Sequence, residues 1–332
     1  MTLFQIGSLP VYGYGSLIAL ASLAALLLMA FMGKKQGLSV GTVSWFAVLA
    51  IPMALLLARA GYCLANLKWA LERTGFFFQF TKGGFLLYGG LAGGILAAFL
   101  TARMTKQPVA RLLDAAAAPA ALLIVVGRLA ESLVGAGYGY CIEEWFDPWM
   151  EMSMIPWEDP SLLYRFPFGV QDFYETWNFA VFLPEALTAL AVLVILLVMK
   201  NRREGARVTL TLLAYACGQI IWESMRQDQV IRWGFIRANQ LISALVIVSV
   251  MVISWLLLST EDRKKLPLWL GVILVALCAG LVIVMEFALE QKIGFLAWMR
   301  MDVCYVVMGL ACVGMLLTVL PMWRRAFPGE AA

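Results

Sequence analysis

Nine apolar stretches of helix-spanning length govern what this chain can become. They lie at about 15–32, 44–66, 84–102, 112–134, 179–199, 208–225, 238–258, 267–289 and 302–320. About 20 apolar residues in a helix cross the roughly 30 Å hydrocarbon layer of a bilayer. Inside that layer backbone N–H and C=O groups must satisfy one another, so runs of this length form helices. Of the 332 residues 62% are apolar and 14% charged, against about 25% charged in a soluble domain. The chain therefore reads as an all-α integral membrane protein, a polytopic bundle of about nine transmembrane helices in the lipid bilayer. Its second run is the least regular, interrupted by Pro52 and Arg59.

The connections set an orientation. Basic residues collect in alternate ones: Lys34 and Lys35; Arg103, Lys106 and Arg111; Lys200, Arg202, Arg203 and Arg207; Arg263, Lys264 and Lys265; Arg324 and Arg325. The positive-inside rule makes these cytoplasmic, with the N-terminus outside, the C-terminus inside and an odd number of spans. The longest opposite connection, 135–178, carries Glu143, Glu144, Asp147, Glu151, Glu158, Asp159, Asp172 and Glu175 against Arg165. It also holds Trp145, Trp149, Trp157 and Trp177, a residue type that prefers the headgroup layer. An extracellular cap with an aromatic edge on the membrane is expected there. The first apolar run lacks a basic leader and a cleavage site, so no removable signal peptide is expected.

Several chemistries are excluded or disfavoured. A net charge of +4 gives no reason to expect nucleic acid. Cys63, Cys141, Cys217, Cys278, Cys304 and Cys312 form no CxxC pair, which supports neither a disulfide framework nor a zinc site. The acidic cap has no EF-hand spacing, so no metal and no cofactor is expected. The chain has no histidine, and catalysis must manage without imidazole.

Polar residues inside apolar runs mark the candidate site. Residues 127–139 read GRLAESLVGAGYG, with Arg128 and Glu131 three apart on one helix face. A charge at membrane depth costs at least about 2.5–3.5 kcal/mol, so the two need each other, a wet cavity or a ligand. In the sixth run Gln219, Glu223 and Arg226 fall at i, i+4 and i+7 and must look into the bundle. Asn239-Gln240 opens the seventh run, and Pro184-Glu185 stands in the fifth. The third run begins with Gly83, Gly84, Gly89, Gly90, Gly93 and Gly94 within twelve residues. Such glycines serve either close helix packing or backbone amides open to an anion. Arg59 either joins the site or snorkels outward. Tyr12-Gly13-Tyr14-Gly15 suits a membrane interface. The last two runs carry only Glu286 at mid-depth and read as a scaffold pair.

Taken in order, these motifs resemble the bacterial prolipoprotein diacylglyceryl transferase family over residues 5–258. Residues 9–15, LPVYGYG, look like the start of its first span, with Tyr14 at an important tyrosine. Residues 59–62, RAGY, are similar to its GGRxGY element, and residues 83–94 to its GG-x3-HGG-LxG motif. Residues 127–139 resemble its GRxxNFxNxExxG signature, Glu185 the glutamate of P-x-QLYE, residues 218–226 the R-x3-E-x2-R helix, and Asn239-Gln240 its GQ. Departures include Tyr88 standing for histidine, Glu131 for asparagine, Ala136 for glutamate and Gln219 for arginine.

The resemblance implies a seven-helix transferase core at 1–258, cap included, followed by two further transmembrane helices and a short cytoplasmic tail at 259–332. It implies a bacterial plasma membrane enzyme of lipoprotein biosynthesis. The family moves a diacylglyceryl group from phosphatidylglycerol to the lipobox cysteine thiol of an exported preprotein, releasing glycerol phosphate. Arg128 is then expected on the phosphate, assisted by amides of the glycine run, with Tyr88 or Glu131 as the base. A phenol of ordinary pKa about 10 is the poorer base of the two. Tyr14, Arg59, Gly89, Gly90, Gly139, Glu185, Gln219, Glu223, Arg226 and Gln240 are carried over as substrate-binding. The alternatives are a transferase with another acceptor, a lipid-binding scaffold without turnover and, with no inverted repeat in support, a transporter.

The topology is checked by a reporter fused after Ala332. A cytoplasmic reading is expected, and a periplasmic one overturns the orientation.

Overall fold

The computed structural model describes residues 2–6, 9–73, 75–80, 84–142, 164–227, 232–233, 236–292, 294–296 and 298–329. The tryptophan-rich middle of the expected cap, 143–163, lies outside them. The chain opens with β1 (Thr2–Ile6) and β2 (Leu9–Tyr12), then α1 (Gly13–Lys35), α2 (Val40–Ala65) and the short α3 (Leu67–Glu72). A 3-10 turn at Phe76–Phe78 leads to α4 (Leu87–Thr105) and α5 (Val109–Glu131). After β3 (Gly169–Gln171) and β4 (Trp177–Phe179) come α6 (Phe182–Val198) and α7 (Ala206–Met225). The strands β5 (Arg232–Trp233) and β6 (Ile236–Arg237) precede α8 (Ala238–Leu256), α9 (Thr260–Lys265), α10 (Leu268–Leu289) and α11 (Met301–Ala326).

All nine apolar runs lie on helices. Seven of these helices are long and apolar enough to cross a membrane, the one containing α5 running on to Val134. The other two are α6, which is shorter at 17 residues, and α7, which carries the polar stripe. The protein is an all-α, polytopic helical membrane protein. Among the described residues, three small antiparallel ribbons, absent from the sequence expectation, pair β1 with β2, β3 with β4 and β5 with β6. Each immediately precedes a long helix, α1, α6 or α8, and steers its entry into the bundle.

Local chemistry explains the turns. Ser39 caps α2, its Oγ accepting from the Thr42 N–H at 3.2 Å, after Gly37 reverses the chain at a φ of +71°. Ser259 caps α9 in the same way through the Asp262 N–H. Pro52 lies inside α2 without ending it, as membrane helices tolerate when neighbouring groups satisfy the freed carbonyl.

Among the described residues, the two largest of four apolar clusters hold most of the bundle. Met29 and Met32 of α1, Phe46 of α2, Ala97 and Ala98 of α4, Leu112 and Ala118 of α5, and Leu196 of α6 form one. Leu213 and Ile220 of α7, Ile247 and Met251 of α8, Val275 and Met285 of α10, and Met308 and Met315 of α11 form the other. The C-terminal pair α10–α11 thus shares a continuous core with α7 and α8, two of the helices that carry the polar motifs.

The glycine run meets a packing demand. Helices α2 and α4 are close neighbours, and a Cβ at Gly93 would stand 2.4 Å from the Met53 carbonyl oxygen. One at Gly89 would stand 2.4 Å from the Leu57 oxygen. Small residues of this kind let backbones approach where lipid offers no hydrophobic drive between helices. Gly94, one residue round the helix, faces open space. Gly93→Val is therefore expected to lower the melting temperature of the detergent-solubilised protein strongly, whereas Gly94→Ala leaves it level or raises it slightly. Equal effects of the two changes overturn this account of the run.

Candidate active site

Polar side chains from six helices converge at one end of the bundle. They come from the first turns of α1, α4, α6 and α8 and the last turns of α5 and α7, which the alternating chain direction brings together. At the centre stands Arg128 of α5. Its Nη1 donates to Glu131 Oε1 at 2.7 Å and its Nε lies 3.2 Å from Glu185 Oε2. Its Nη2 donates to the Tyr215 hydroxyl at 3.4 Å and to Gln219 Oε1 at 3.5 Å. Arg226, at the end of α7, bridges the same two carboxylates, with Nη1 3.0 Å from Glu131 Oε2 and 2.8 Å from Glu185 Oε2. Two guanidinium groups and two carboxylates thus close a ring of charge.

The stripe on α7 continues the network. Gln219 Nε2 donates to Glu185 at 3.2 Å and to Glu223 Oε2 at 2.9 Å. Asn239 Nδ2, on the first turn of α8, donates to the same Glu223 oxygen at 3.1 Å. Gln240 turns the other way, donating to the Ile220 carbonyl and to the Glu286 carboxylate of α10. Tyr305 of α11 donates its hydroxyl to the Ser224 carbonyl at 3.2 Å. Helices α10 and α11 therefore place Glu286 and Tyr305 against the outer side of α7 and α8.

Burial separates the two central acids. The Glu185 side chain is 0% exposed and that of Glu131 17%, so Glu131 sits at the edge of the ring and Glu185 in its floor. Gly137, at a φ of +77°, packs against Glu131; a Cβ there would lie 2.7 Å from its Oε2. Gly139 bridges the backbone of Arg226 and donates its N–H to the Phe179 carbonyl at 2.8 Å. A Cβ at Gly139 would meet Val181 at 2.6 Å, so only glycine lets this loop lie against the end of α7.

Several expected residues have other local partners. Tyr88 is buried and its hydroxyl shares a 2.6 Å hydrogen bond with Ser243 of α8. Arg59 is 2% exposed and donates to the carbonyls of Phe76, Phe77 and Gly84, fastening these residues to α2. Gly89 and Gly90 lie in the first turns of α4, facing α2. Tyr14 is exposed on the first turn of α1, within electrostatic reach of Glu131 and Arg128.

Sequence reasoning missed Tyr215, Arg237 and Ser243. Tyr215 precedes Gln219 by four residues, so the helical stripe already pointed to it. Ser243 follows Asn239 by four in the same way. Arg237 donates to the Glu223 and Arg226 carbonyls at the end of α7, which satisfies helix-end acceptors; its position before an apolar run carried no such signal.

A family model described as prolipoprotein diacylglyceryl transferase matches residues 1–256. The chain belongs to the prolipoprotein diacylglyceryl transferase family. It is similar to the phosphatidylglycerol–prolipoprotein diacylglyceryl transferase of Bacillus velezensis, 27% identical over 252 residues, which is 75% of this chain and 89% of the relative. The protein of the same name from Clostridioides difficile is 25% identical over 264 residues, 79% of this chain and 97% of the relative. That from Symbiobacterium thermophilum is 29% identical over 265 residues, 76% and 91%. With bacterial relatives and seven apolar helices, this is a multi-pass bacterial membrane protein. Helices α10 and α11 lie beyond the matched residues.

Glu131, at the end of α5, reaches Arg226 as well as Arg128.

Removing one partner of a buried ion pair leaves an uncompensated charge and costs about 3–5 kcal/mol. Glu185→Gln, in the floor, is expected to lower thermal stability in detergent far more than Glu131→Gln at the edge. Equal losses overturn the distinction between the two acids.

Proposed function

We propose that this chain moves a diacylglyceryl group from phosphatidylglycerol to the lipobox cysteine thiol of an exported preprotein, at the Arg128 ring. Family membership and the relatives' names support the reaction, and the one observation that carries it here is the ring whose outer acid, Glu131, is partly accessible while Glu185 is fully buried. The lipid phosphate takes the place of Glu131 on Arg128, whose planar fork binds phosphate bidentately. Glu131 is freed on one side while Arg226 still holds it on the other. The displaced carboxylate then accepts the thiol proton, and the thiolate is the nucleophile. Its sulfur bonds to the glyceryl carbon that carries the phosphate oxygen. That carbon–oxygen bond breaks, and glycerol phosphate leaves with the electron pair, its growing charge held by Arg128. Glu185 stays in the floor and fixes both arginines. We place Tyr88 in a supporting role because its hydroxyl is already engaged by Ser243. Tyr14, Gly139, Gln219, Glu223 and Gln240 frame the pocket or hold its helices.

A second reading, a lipid-binding scaffold without turnover, draws on the full engagement of Arg128: each of its three nitrogens already has a partner.

Purified protein in phosphatidylglycerol vesicles with a lipobox peptide is expected to release glycerol phosphate. Glu131→Gln should abolish release and leave lipid binding unchanged or tighter, since the competing carboxylate is gone. Arg128→Lys should weaken both by more than tenfold, as the fork is lost. Lipid binding without release in the wild type establishes the scaffold, and full activity of Arg128→Ala moves the site elsewhere.

A further inference from the structure

A cavity of about 380 Å³ opens at the opposite end of the bundle from the Arg128 ring. It lies among the last residues of α1, the first turn of α5, the α6–α7 connection and the first turn of α7. Arg111 and Arg128 stand 17 residues apart on α5, which at 1.5 Å per residue separates the two sites by about 25 Å. The family resemblance places no residue there.

Six charged side chains line it: Lys35, Arg111, Asp114, Arg202, Glu204 and Arg207. Four cations against two carboxylates leave a surplus of two positive charges. Both acids are already committed. Asp114 accepts the N–H groups of Gly205 at 2.8 Å and Val208 at 2.9 Å and so caps α7. Glu204 is held by Arg111 at 2.6 Å. Arg207 is 6% exposed and donates to the Met199 carbonyl, yet among the described residues it has no ion pair. The same holds for Lys35 and Arg202.

The wall is rigidly built. Arg202 donates to the Phe327 carbonyl at 2.8 Å and stacks over Trp323, whose ring N–H reaches Thr209 at 2.9 Å. The end of α11, outside the family match, thus fixes one side of the cavity. Asp114 lies within electrostatic reach of Arg207 but is spent on capping α7, so the lining keeps a surplus of positive charge that a mobile anion can complete. The space is within the range of small-ligand pockets, and it sits where the ends of α1, α6 and α7 meet.

We propose that this cavity binds a phosphate-bearing anion, either the headgroup of an anionic lipid or a soluble phosphate ester. Lys35, Arg202 and Arg207, which make no salt bridge among the described residues, supply the cations, and Glu204 competes with the ligand for Arg111.

The test uses the full chain in nanodiscs. Inorganic phosphate is titrated calorimetrically in phosphatidylcholine discs, and retention of added phosphatidic acid is followed by native mass spectrometry. Because Arg207→Gln also removes a hydrogen bond to α6, Lys35→Gln and Arg202→Gln carry the test, with melting temperature as the folding control. Each should weaken binding about five- to tenfold, and Glu204→Gln should tighten it by a similar factor. Added salt should weaken it throughout. Phosphate affinity with this pattern identifies a soluble-ester site, and phosphatidic acid retention alone with this pattern identifies a lipid site. Binding that ignores all three substitutions, or is lost only with Arg128→Lys, overturns the proposal. Glycerol phosphate release by Lys35→Gln should stay at the wild-type rate, so failure here is separable from failure at the Arg128 ring.

Discussion

The ring of Arg128, Arg226, Glu131 and Glu185 is the interaction on which the rest depends. Each guanidinium bridges both carboxylates, at 2.7 to 3.2 Å, so no charge in the ring relies on one partner. That redundancy is what lets four ionised groups persist at the end of a helical bundle where isolated charges are costly. The ring also ties three helices, α5, α6 and α7, at a point where their apolar faces alone would not fix a relative rotation.

The remaining polar contacts make sense as supports for that ring. Arg237 satisfies the last carbonyls of α7, so the helix carrying Arg226 ends at a defined place. Gly139 brings the loop after α5 into contact with the same helix end. Glu286 and Tyr305 press on α7 and α8 from helices that lie outside the family match. The addition of α10 and α11 is therefore a reinforcement of the site helices through a shared core, rather than a detached module.

Charge is distributed unequally between the two ends of the bundle. At the ring, two guanidinium groups and two carboxylates balance, and in the proposed mechanism a phosphate enters by exchange with Glu131. At the opposite end, the two acids are engaged in a helix cap and a surface pair, and the four cations of the lining outnumber them.

Periodicity and apolarity in the sequence determined the helical membrane class, because lipid leaves a long apolar run no alternative way to satisfy its backbone. The helical spacing of Gln219, Glu223 and Arg226, and of Arg128 with Glu131, also placed these residues on shared faces. What spacing along one chain does not contain is which faces meet. Only the tertiary structure joined Glu131 to Arg226 across α5 and α7, paired Tyr88 with Ser243, and turned Arg59 toward three loop carbonyls. The same limit applied to the glycine run: its composition fitted either an anion cradle or close packing, and the approach of α2 to within contact of Gly89 and Gly93 decided how those two are used. The three short ribbons were illegible for a related reason, since strands of two to five residues have too few alternations to register and exist through pairing alone.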